Sequence, residues 1–172
     1  MCIRDSAVKG SLPLIPAAKR LMDEVMAPPS MDAGSDAPLD AERRAVAGMK
    51  KIALMVLGTA MDKYREKLAD EQEVLLAAAD ILIDAYASES AVLRAAQSGG
   101  PLHEAAARVY VNDAAARVEA SAKTALAAMA EGDTLRTLLA ALRRLLKVTP
   151  VNTVVLRRQL ADATVERRTY LF

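Results

Sequence analysis

Residues 68–95 read LADEQEVLLAAADILIDAYASESAVLRA, and this stretch decides the fold. Leucine, alanine and isoleucine recur at three- and four-residue spacing, and no proline or glycine interrupts them. That pattern builds a long amphipathic helix. Its apolar stripe is read as Ala78, Leu82, Ala85, Leu93 and Ala96, with Glu89 inside it and Glu73, Asp80 and Asp84 on the opposite side. A carboxylate buried alone costs several kcal/mol, roughly, so Glu89 requires a partner or must stay protonated.

Working outward, the chain continues helical in both directions. Pro16 suits a first helical turn, so a short helix is expected over Pro16–Met26, ending before Pro28 and Pro29. Residues 27–37, APPSMDAGSDA, hold turn formers without apolar periodicity and are expected to form a flexible linker. Pro38 opens a second helix, and no proline or Gly-Gly pair follows until Ser98. Unbroken, that helix would be about 90 Å long, too long for a compact domain. Asp70 followed by Glu73 has the form of a capping box, which places the break at Ala69–Asp70.

The third helix stops at Ser98-Gly99-Gly100, and Pro101 opens a fourth that ends at Glu131-Gly132. Its stripe is Ala107, Val111, Ala114, Val118, Ala122, Ala125 and Met129. A fifth helix, capped by Asp133 or Thr134, turns Leu135, Leu138, Leu139, Leu142, Leu145 and Leu146 to one face and ends at Thr149-Pro150. Asn152 caps a sixth. Three long helices joined by tight turns imply antiparallel neighbours. The fold class is therefore all-α: an antiparallel up-down bundle of three long helices with shorter helices at both ends, the bundle spanning 38–172.

Folding the third and fourth helices back about Gly99 brings Glu89 level with Arg108 or Val109. A Glu89–Arg108 ion pair at the seam is expected, as a structural bond and not a general base. The second helix poses a different question. Nearly every residue of Ile52–Met61 is apolar, and a helix apolar all round is buried all round. Leu54, Met55, Leu57 and Met61 therefore sit at the bundle centre or form a docking surface for something outside this chain. Gly58 weakens the helix by roughly 1 kcal/mol against alanine but suits close backbone approach. The basic rim of Lys50, Lys51 and Lys63 leaves peripheral membrane contact as a third reading.

Composition excludes much else. The 172 residues fit one domain, with 53% apolar but only 3% aromatic side chains. The core must gain its density from close approach of Ala, Leu and Met. Lys and Arg total 23 against 22 Asp and Glu, so no global field favours nucleic acid. The arginine pairs 143–144, 157–158 and 167–168 are interleaved with apolar residues and read as solvated flanks. One histidine, His103, rules out a ferritin-like di-iron set, and one cysteine, Cys2, rules out an internal disulfide and cysteine zinc motifs. No phosphate loop or nucleophile elbow occurs. No metal is expected. His103 reads as a surface residue at a helix start. The longest strongly apolar run is half of what spans a bilayer, and no signal-peptide pattern appears. A bacterial cytoplasmic protein is expected, at most peripheral to the inner membrane. The opening MCIRDS is similar to a translated sequencing-adapter remnant, so residues 1–6 are read as non-native.

From about Ala7 onward the order of features resembles the C-terminal part of long- and very-long-chain-type acyl-CoA dehydrogenases. The similarity lies in VKGSLPLIPAAKRLMDEVMAPPS at 8–30, KKIALMVLGTAMDKY at 50–64, YASESAVLRA at 86–95, EGDTLRTLLAALRRLLKVTPVNTVVLRRQLADATVE at 131–166 and the aromatic end. The resemblance implies a parent flavoenzyme of fatty acid β-oxidation that uses FAD to convert acyl-CoA to trans-2-enoyl-CoA. Its catalytic glutamate would lie in a Phe/Tyr-Glu-Gly-Thr segment, which nothing here matches. No catalytic or FAD-binding residue is therefore assigned, and the fragment alone is expected to be inactive. The implied partners are the missing catalytic core of the same polypeptide, a second copy in a homodimer, and a membrane surface. Two rivals remain open: a free-standing helical interaction module, and a ligand-binding bundle, which would enclose a sizeable cavity.

Overall fold

The computed structural model describes residues 13–26 and 37–169. The adapter-like residues 1–6, nearly all of the linker and the aromatic end at 170–172 lie outside the described residues. Among the described residues six α-helices follow one another: α1 Leu14–Met26, α2 Asp40–Tyr64, α3 Gln72–Ser98, α4 Pro101–Met129, α5 Gly132–Leu145 and α6 Thr153–Arg167. No strand occurs among the described residues. The all-α expectation holds.

Helix α2 is the axis of the molecule, packing against α1, α3, α4 and α5. Met49, Ile52, Val56 and Ala60 are fully buried, and Ala53 and Met55 nearly so. Its apolar middle is thus covered on most sides by elements of the same chain, with Leu54, Leu57 and Gly58 only partly buried. α2 ends at Tyr64, four residues before the expected Leu68, and a 3₁₀ segment, Arg65–Asp70, makes the break. The capping box does not form. Glu71 occupies the cap position without a side-chain bond, and Gln72 Nε2 instead donates to the Ala69 carbonyl at 2.6 Å. The helix starts one residue later than expected, with Glu71 and not Asp70 at the cap, so Asp70 and Glu73 no longer stand in capping-box positions.

Helices α3 and α4 form the most extensive pairing in the fold. Gly99 and Gly100 join them at φ 64° and 104°, a reversal that β-carbons would strain. All seven expected core residues of α4, from Ala107 to Met129, are buried. The stripe of α3 is corrected. Val74, Ala78, Ile81, Ala85, Ser88, Val92 and Ala95 face inward, while Leu82, Leu93 and Ala96 are exposed. α3 is apolar on two sides, so periodicity alone could not say which side is covered.

Short helices close the bundle. α1 begins two residues before Pro16 and inserts Ala18, Leu21 and Val25 against α2 and α5. Arg144 of α5 donates to the Val25 carbonyl near the open C-terminal end of α1. α5 buries Leu138, Ala141 and Leu142 and stops at Leu145, before the expected Thr149. α6 packs mainly on α4 and buries no residue. Asn152 caps it as expected, its Oδ1 accepting from Val155 N at 3.2 Å.

Candidate functional site

The expected Glu89–Arg108 pair does not form. Lys50 of α2 donates to Glu89 Oε1 at 2.5 Å, and Arg108 stands between Glu42 at 3.7 Å and Glu104 at 3.8 Å. The physical reason is rotation. Glu89 lies on the flank of α3 that faces α2, while the flank toward α4 carries Asp84, five residues back and about 140° around the helix. Asp84 makes the α3–α4 bond, receiving Arg117 Nη2 at 2.5 Å and Arg117 Nε at 3.1 Å. The Asp84 hydrogen bond raises the guanidinium above its ordinary value, so Arg117 stays charged. Its charge also lies over the Tyr110 ring, 5.7 Å from the centroid. Asp113, one turn before Arg117, binds Arg157 of α6. Ion pairs therefore tie α2 to α3, α3 to α4 and α4 to α6 along partly exposed seams, where each contributes modestly.

The four residues expected to form a docking surface separate into two classes. Met55 and Met61 are largely buried, and both also line a groove. Leu54 and Leu57 are half-buried and pack against the core. A groove of about 650 Å³ runs between α1, α2 and α5, with Met22, Met55, Met61 and Leu138 on its floor and Lys19, Asp23, Asp62 and Arg65 among its other lining residues. At its α1 wall, Ala18 lies where a β-carbon on Gly58 would have to go. Gly58 thus serves the close approach that its position suggested.

Among the described residues no three His, Cys, Asp or Glu side chains are placed to hold a metal ion. His103 lies in the first turn of α4 and shares a shallow depression with Ser90, Arg94 and Tyr110. Ser88, fully buried on α3, has a hydroxyl without a hydrogen-bond partner. No helix among the described residues is long and apolar enough to cross a membrane.

One surface was missed by sequence reasoning. Leu76, Leu82, Ile83, Tyr86 and Leu93 of α3 are all exposed, making a second apolar face along the same helix. The signal was present in the sequence: the helix has more apolar positions than one stripe can hold.

The fold defines a class, an all-helical bundle domain. The chain belongs to the family described as the acyl-CoA dehydrogenase C-terminal domain, whose model matches residues 48–144. It is 41% identical over 171 residues to a probable acyl-CoA dehydrogenase of Bacillus subtilis (strain 168), covering 95% of this chain and 29% of that protein. The crystal structure of an acyl-CoA dehydrogenase complexed with FAD from Bacillus anthracis superposes with a TM-score of 0.89 at 37% identity, over 98% of this chain and 29% of that one. The chain thus spans less than a third of the relatives it matches.

Proposed function

We propose that this chain is the C-terminal helical portion of a long- or very-long-chain-type, FAD-dependent acyl-CoA dehydrogenase of fatty acid β-oxidation. Its role is to dock on the flavin-bearing catalytic core and stabilise it. The core supplies FAD and the glutamate that removes the α-proton, and the bundle supplies no reacting group. The observation that carries this reading is the near-complete cover of this chain by relatives whose own lengths run far beyond it. The groove between α1, α2 and α5 gives the docking an apolar seat with charged groups beside it, the usual composition of a contact between parts of one enzyme.

A graft tests it. Residues 7–172 replace the matching stretch of the Bacillus anthracis enzyme, and the hybrid is assayed for bound flavin and acyl-CoA oxidation. Retained flavin and turnover support the reading. A hybrid that folds in its helical part, as seen by protease resistance, yet excludes flavin from the core overturns it.

A further inference from the structure

Near the Gly99–Gly100 reversal, α3 and α4 leave between them a depression of about 300 Å³, the lower end of what holds a small ligand. Buried Ala95 and Ala107, with half-buried Ala91 and Ala106, form its floor, so short methyls lie where larger side chains would fill the space. Arg94 and His103 line it nearest the reversal. Ser90 and Tyr110 line the other end, about 10 Å away along α4. No aspartate or glutamate is among the lining residues, although acids and bases balance in the chain as a whole. Arg94 is exposed and makes no ion pair or hydrogen bond among the described residues, which leaves its fork of N–H donors free. The Tyr110 hydroxyl likewise has no hydrogen-bond partner there, while its ring is held by the Arg117 guanidinium.

We propose that this depression binds a small aromatic carboxylate, with its acid group at Arg94 and His103 and its ring on the alanine methyls. One free guanidinium matches one negative charge, and its planar fork can pair both carboxylate oxygens. A phosphate dianion would need a second cation, and Arg117 is already engaged by Asp84. The alanine floor gives a flat ring close contact without displacing a large side chain. The Tyr110 hydroxyl at the far end suits a polar group on the ring opposite the acid. para-Hydroxybenzoate has this form. Such a ligand touches α3 and α4 together, so its binding stabilises their pairing. None of the lining residues belongs to the α1–α2–α5 groove, so the inference does not depend on the docking reading above.

Titration of the isotope-labelled 172-residue chain with para-hydroxybenzoate, read by backbone amide shifts, tests it. Saturable shifts should gather at residues 90–95 and 103–110, with a Kd of about 1 mM or tighter. para-Hydroxybenzamide has the same shape without the charge and should bind about tenfold more weakly or worse. Arg94→Gln should weaken binding of the acid by about as much. Tyr110→Phe keeps the ring and should cost about threefold. Unchanged spectra outside the site confirm the fold of each variant. An absence of saturable shifts up to about 20 mM overturns the proposal. So do shifts centred elsewhere, equal binding of the amide, or equal affinity in Arg94→Gln. Phenyl phosphate binding more tightly than the acid would overturn it as well, by replacing the carboxylate with another anion.

Discussion

Asp84 of α3 and Arg117 of α4 meet through two nitrogens of one guanidinium, with Nη2 at 2.5 Å and Nε at 3.1 Å from the carboxylate. The Asp84 side chain is only 13% exposed, which shields this pair from solvent on the carboxylate side. A double-mutant cycle with Asp84→Ala and Arg117→Ala should give a coupling of about 1 kcal/mol in denaturant unfolding. The same cycle on Glu89 and Arg108, which do not touch, should give no coupling.

The Gly58–Ala18 contact predicts a swap. Gly58→Ala alone gains helix propensity but drives its methyl into Ala18, and should destabilise by about 1–2 kcal/mol net. Adding Ala18→Gly removes the obstructing carbon and should recover most of that loss. Thermal melts of the two single variants and the double variant measure it.

Ser88 carries a hydroxyl that its surroundings do not use. Ser88→Ala removes an unpaired polar atom and improves helix propensity, so it should stabilise the chain by about 1 kcal/mol. A lower melting temperature would mean that the hydroxyl has a partner after all.

Tyr64 provides a pH dependence with a definite sign. Burial, reinforced by the Glu71 carboxylate, holds its hydroxyl above the ordinary value of 10.0. The neutral form is therefore favoured in the folded state. Its contribution is complete below the unfolded value and is lost as pH rises through the folded one. Tyr64→Phe should show a shallower loss of stability than wild type across about pH 9–11, followed by denaturant midpoints.

Much of this architecture was legible in the sequence because its signals are local. Gly99-Gly100 and Pro101 mark the α3–α4 reversal, Asn152 marks the start of α6, and a single regular stripe marks the inner face of α4. What failed has one common cause. α2 and α3 are each apolar on more than one side, so helical period cannot assign their faces. Met55 and Met61, read as bundle centre or docking surface, are core residues that also line the groove, whereas Leu82 and Leu93 were candidates for the core and are surface. The ion pairs moved with the faces: once α3 is turned to bury Ile81 and Ser88, Glu89 reaches Lys50 and cannot reach across to α4. The break after α2 was foreseen but not its form, since a 3₁₀ turn leaves no distinctive residue spacing.

The central claim, that the bundle serves its parent enzyme by docking through the α1–α2–α5 groove and takes no part in the chemistry, is tested most directly on the grafted enzyme carrying Met22→Glu. Met22 is a half-buried residue that lines the groove and packs on the core, so the same substitution in the isolated chain, melted alongside, measures the part of the loss that belongs to the bundle itself. Thermal unfolding followed by flavin fluorescence, with turnover per bound flavin measured in parallel, should show a melting temperature several degrees lower and unchanged turnover, as expected for about 1–2 kcal/mol lost at a contact. An unchanged melting temperature, or turnover lost from an enzyme that keeps its flavin and its fold, would contradict the account.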